Sequence, residues 1–159
     1  MSVPAILQTL RRSMDLYDEL AAALPAHHLG SKLPGVPSNT VGEQLWCVVG
    51  ARESYARAIA AGEWAGFACS LTAEDCRDAA RIREALADSA RALLEAMPPP
   101  AAPSPPEGAP AEEPEPPART TQLLAVLEHE AAHQGQLIRY LYALRIPVPP
   151  GWKARYALD

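Results

Sequence analysis

Read for the recurrence of apolar positions, the chain resolves into four helical stretches and no credible strand. Ile6, Leu10, Met14, Tyr17, Leu20 and Leu24 recur every three or four residues, Arg11, Arg12, Asp15, Asp18 and Glu19 cover the other side, and Pro25 closes the run. Ser2 is the candidate cap of this first helix, and Pro4 suits its opening turn. The second helix begins at Thr40-Val41-Gly42-Glu43, a capping-box pattern in which Thr40 caps and Glu43 reaches back. Leu45, Trp46, Val48, Val49, Tyr55 and Ile59 carry its apolar face to about Ala61. The third opens at Thr72-Ala73-Glu74-Asp75, with acid in its first turn, and buries Ala79, Ile82, Leu86, Ala90, Leu93 and Met97. The fourth runs from near Thr120 to about Arg145 on Leu123, Val126, Leu127, Leu137, Ile138, Leu141 and Leu144. Four amphipathic helices predict an all-α four-helix bundle, one domain over residues 1–159.

The connections differ in kind. Residues 25–39 are punctuated by Pro25, Gly30, Pro34, Gly35 and Pro37 and read as a loop. Residues 62–70 form a second loop, and its two aromatics, Trp64 and Phe67, predict a segment folded onto the core or over a pocket as a lid or plug. Between Pro98 and Pro117 ten residues are proline and four are glutamate, too little apolar surface to order the segment, so residues 98–118 are expected to be a flexible linker with polyproline II character. Trp152, Tyr156 and Leu158 give the tail enough apolar surface to pack back on the bundle.

Composition narrows the function. Hydrophobic residues make up 48% of the 159 positions, enough for a sizeable core. The net charge is -5 and no basic run occurs, which argues against a nucleic-acid or anionic-membrane surface. No stretch approaches the roughly 20 apolar residues of a membrane span. The start of the chain lacks a basic segment followed by an apolar run, and Cys47, Cys69 and Cys76 form no CxxC pair, so a cytoplasmic protein with reduced thiols is expected.

The candidate chemistry concentrates at Glu128-His129-Glu130-Ala131-Ala132-His133-Gln134. Positions i and i+4 of a helix share a face with Cβ atoms about 6 Å apart, so His129 and His133 can converge on one metal ion. On the helical wheel His133 flanks the apolar stripe, His129 lies at its boundary, and Glu130 and Gln134 fall near its centre. Polar residues there predict a polar cavity inside the bundle, lined by Glu130 and Gln134 as hydrogen-bond partners or, for Glu130, as an acid–base group. Cys47, central in the second helix, is the best third ligand. One thiolate and two imidazoles favour zinc, with nickel, manganese and iron as alternatives, and leave a fourth position open in the manner of a catalytic site. Weighed against this, a lone cysteine commonly behaves as a small hydrophobe, and an i, i+4 histidine pair is as often structural as metal-binding. Adjacent His27 and His28 lie in a loop where solvation is the plain expectation, with His28 a minor candidate for a fourth ligand. His129-Glu130-Ala131-Ala132-His133 also matches the short HExxH pattern of zinc proteases, but Gln136 and Arg139 stand where the longer metzincin pattern has Gly and His.

Three stretches resemble the DinB-like superfamily of small bacterial metal-binding bundles. They are Thr40-Val41-Gly42-Glu43-Gln44-Leu45-Trp46-Cys47, where the family usually has histidine at the last position; Ala51-Arg52-Glu53-Ser54-Tyr55, which continues that helix; and His129-Glu130-Ala131-Ala132-His133-Gln134-Gly135-Gln136-Leu137, which is similar to the family's second and third histidines. The resemblance implies an up-down-down-up bundle with a long crossover, a homodimer in many members, and a divalent metal held by three side chains. Among the relatives it implies are S-transferases that use low-molecular-weight bacterial thiols, and metal-dependent isomerases and hydrolases.

Cys47 departs from that pattern, which leaves either a Cys-His-His site or a fold that has lost its metal. The leading expectation is an enzyme that uses a metal-activated thiol or water on a small-molecule substrate. The rivals are a non-catalytic metal-binding or dimerising bundle, and a redox sensor built on Cys47 or Cys69.

Overall fold

In the computed structural model, described over residues 3–97 and 117–159, the chain is all-helical, and no strand occurs among the described residues. The helices are α1 (Val3–Ala23), α2 (Val41–Ala61), α3 (Ala79–Glu95), α4 (Pro117–Ala143) and a short α5 (Pro150–Tyr156). Ser2, the expected cap of α1, and most of the proline-rich segment 98–118 lie outside the described residues.

The caps explain where the helices begin. Thr40 Oγ1 accepts from the Glu43 amide at 3.1 Å, and the Glu43 carboxylate accepts from the Thr40 amide at 2.6 Å, which completes the predicted capping box of α2. Gly62 ends α2 in the left-handed region, at φ 79°. The third helix starts later than the pattern predicts. Thr72 and Asp75 do bond each other reciprocally, but they close a single 3-10 turn, Asp75–Arg77. Asp78 then caps α3 by accepting from the Ala80 and Arg81 amides. An acidic turn reads alike in sequence whether it opens a helix or sits one turn upstream of it.

α1 and α2 each pack on both α3 and α4, so the helices stand in the ring order α1–α3–α2–α4. One apolar cluster around Tyr17, Leu45, Leu86 and Leu141 fills one end, and a second around Ile6, Ile59, Leu93 and Leu123 fills the other. The tail does pack back on the bundle, as an extra helix the apolar pattern alone does not predict. Trp152 is fully buried, its indole Nε1–H donates to the Leu16 carbonyl at 2.7 Å, and the Glu19 carboxylate accepts from the Gly151 amide. α5 is thereby fixed against α1. No described helix is long and apolar enough to cross a membrane.

Candidate metal centre

α2 and α4 face each other with opposite sense. Gln44 meets His133, and one turn further along α2 Cys47 meets His129. The capping box sets the start of α2, and Gln44 and Cys47, three residues apart, share the face that meets α4. One donor atom from each of Cys47, His129 and His133 lies within 4.8 Å of the other two, and all three residues are half-buried. Cys47 Sγ stands 3.5 Å from His129 Nε2. Zinc–sulfur and zinc–nitrogen bonds of about 2.3 and 2.0 Å at a tetrahedral angle separate two such donors by roughly 3.5 Å, so this pair fits a shared ion. His28, in a 3-10 turn beside His27, is outside the cluster.

The tautomer of His133 follows from its partner. Gln44 Oε1 lies 2.6 Å from His133 Nδ1 and can only accept, so the imidazole carries its proton on Nδ1 and leaves Nε2 as the donor atom. His129 Nδ1 is buried and has no partner among the described residues. Burial, reinforced by His129, pulls the His133 pKa down to about 4. Burial also lowers that of His129, with Glu130 opposing. Both imidazoles are therefore neutral near pH 7, the form that binds metal. Burial raises the Cys47 thiol, so it keeps its proton unless a cation replaces it.

Glu130 and Gln134 are buried in the bundle interior, at 1% and 3% exposure, where the wheel puts them. Their partners are the part that the sequence reading missed. Glu130 Oε1 accepts from Arg52 Nε at 2.6 Å, and Oε2 accepts from Ser13 Oγ. Arg52 itself is fully buried, donates from Nη1 to the Leu86 carbonyl at 3.2 Å, and lies over the Tyr17 ring at 5.1 Å. Gln134 Nε2 donates to Ser13 at 2.7 Å, and Tyr156 of α5 donates to Gln134 Oε1. Five helices thus contribute to one buried polar network. Of the two residues expected to line a polar cavity, Gln134 does line one, whereas the Glu130 carboxylate is committed to Arg52 and Ser13, which leaves it poorly suited to the acid–base role considered for it. A signal for Arg52 was present: it stands three residues after Val49 and four after Val48, inside the apolar stripe of α2. Ser13 similarly follows Leu10 by three and precedes Tyr17 by four.

Residues 62–71 run as a strap along α2 beside Cys47. Ser54 Oγ bonds both the amide and the carbonyl of Ala68, the Glu53 carboxylate accepts from the Ser70 amide at 2.8 Å, and Trp46 Nε1–H donates to the Leu71 carbonyl at 2.9 Å. Phe67 stacks on Trp46 and Trp64 on Tyr55, yet both loop rings remain about half exposed, at 46% and 50%. Gly50 has its reason here: a Cβ on it would run into the Phe67 ring and come within 2.9 Å of the Cys69 Cβ. Cys69 donates to the Trp46 carbonyl, and burial pushes its pKa up to about 11. All three cysteines are free thiols.

A DinB family model matches residues 1–149 of the chain. No curated protein and no solved structure matches it.

Proposed function

The chain belongs to the DinB family, and we propose that it is a divalent-metal-dependent enzyme whose ion is held by Cys47, His129 and His133. The observation that carries this proposal is the convergence of three donor atoms from two helices within 4.8 Å. A thiolate with two neutral imidazoles selects zinc first, with nickel, manganese or iron as alternatives. Three protein donors leave a fourth position for a small ligand, and the bound ion would supply a nucleophile there by lowering the pKa of water or of a low-molecular-weight thiol. The chain's own part is to hold the site in order. Gln44 keeps the His133 proton on Nδ1. Arg52 neutralises the buried Glu130 carboxylate and ties α4 to α2 one residue from His129. Attack of the thiol or water on a small-molecule electrophile, with the bond to the electrophile's leaving group broken and the nucleophile's proton passed to that group or to solvent, would make the enzyme an S-transferase or a hydrolase.

The same proposal takes the bundle as up-down-down-up, supported by the pairings of Ser13 with Glu130 and of Cys47 with His129. It takes the working protein to be a cytoplasmic homodimer. Elemental analysis of protein purified without a histidine tag, beside Cys47→Ala and His133→Ala, tests the ligand set. About one metal ion per chain, lost in both variants, is the expected result. Native protein that takes up no zinc, nickel or manganese would leave a non-catalytic or dimerising bundle as the better account.

A further inference from the structure

A cavity lies on another flank of α4, walled on one side by α5. It measures about 260 Å³, and none of Cys47, His129, His133 or Gln44 lines it. Its walls are unequal in chemistry. Arg12 of α1 and Arg155 of α5 both line it, and neither is in an ion pair among the described residues. No carboxylate lines it, although acidic residues outnumber Lys and Arg by 19 to 14 in the chain. Gln134, almost fully buried at its inner end, uses one amide N–H on Ser13, and an amide nitrogen has two. Leu16, Leu127 and Ala131 supply apolar surface between these donors. The wall formed by α5 is fixed rather than loosely apposed, because Tyr156 is bonded to Gln134 and Trp152 to the Leu16 carbonyl. Arg155 stacks over the Tyr156 ring at 5.6 Å, which restricts where its guanidinium sits.

We propose that this cavity binds a small organic carboxylate with a compact apolar body. Guanidinium groups match a carboxylate in planar, two-point fashion, and two of them in an acid-free pocket favour an anion over a neutral or cationic guest. The leucines favour an anion that carries hydrocarbon over a wholly polar one such as phosphate, which would leave the apolar walls unfilled. Both arginines reach solvent, so binding is modest and weakens as salt is added. The site is independent of the metal proposal, since it shares no residue with the Cys47 cluster.

The test is an amide-resolved NMR titration of the full chain with benzoate, benzyl alcohol and inorganic phosphate in parallel, repeated on Arg12→Gln/Arg155→Gln. Saturable benzoate shifts confined to α5 and the facing turns of α1 and α4 are expected. In the double variant the affinity should fall about tenfold or more, as befits loss of charge-assisted hydrogen bonds. A benzoate response matched by benzyl alcohol, or unchanged in the double variant, would overturn the anion site. Phosphate binding as tightly as benzoate would overturn the carboxylate class. No saturable response to any of the three would overturn the proposal altogether. The variant residues are exposed, and an unchanged far-field amide spectrum verifies the fold in the same experiment.

Discussion

At the scale of single residues, Arg52 and Glu130 form an ion pair with both partners essentially out of solvent. Such a pair adds little net stability over an apolar replacement, but removing one partner strands the other charge in the core. Glu130→Gln is expected to destabilise the protein by about 3–5 kcal/mol in urea unfolding, whereas Arg52→Met with Glu130→Leu together should recover most of that loss. Recovery separates the core-charge role from the metal role, because the double variant should retain the Cys47–His129 approach. Gln44 is the other informative residue. Truncation to Ala frees the His133 ring to turn and removes the acceptor that fixes its tautomer. The partner of a metal-binding histidine is typically worth about 10–100-fold in affinity, so Gln44→Ala should lose that much in competition with a chromogenic chelator. Cys47→His, which keeps a metal-binding side chain at this position, should keep about one ion per chain, where Cys47→Ala does not.

At the scale of elements, the caps and the tail carry the consequences. Asp78, rather than Thr72, satisfies the first amides of α3. Asp78→Ala should therefore cost about 1 kcal/mol, measured as a shift in urea midpoint at constant slope. α5 is held by a fully buried indole and one carboxylate–amide contact. Trp152→Ala should cost about 3–5 kcal/mol and release the Tyr156–Gln134 bond, visible as exchange of the α5 amides faster than those of α4. The strap at 62–71 is anchored polar group by polar group along α2, so its two half-exposed rings are held in place without being part of the core.

For the molecule as a whole, stability should peak between two titrations. His133 takes its proton only near pH 4 when folded, against 6.5 for an ordinary histidine. Between those values the unfolded chain binds a proton that the folded chain refuses, so stability falls as pH falls through that window. Cys69 keeps its proton to about 11 against 9.0 for an ordinary thiol, so above pH 9 the unfolded chain loses a proton that the folded one retains and stability falls again as pH rises. Urea midpoints of metal-free protein across pH 4–10 check both limbs, and His133→Gln should weaken the acid limb, to which the lowered His129 also contributes, while leaving the alkaline limb unchanged.

The helical period, the Thr40 capping box and the spacing of His129 and His133 are local properties, set by which residues lie three or four apart, and the chain alone determined them. The polar centre of the α4 stripe was legible for the same reason. Position on a helix does not say what lies opposite, so the pairing of Arg52 with Glu130, of Gln44 with His133 and of Arg12 with Arg155 around a cavity came only with tertiary structure. Those placements bring together residues dozens of positions apart, and they depend on how far each helix slides and turns against the next. The late start of α3 and the existence of α5 were decided there too, because a turn becomes a helix or stays a turn according to the core available to cover it.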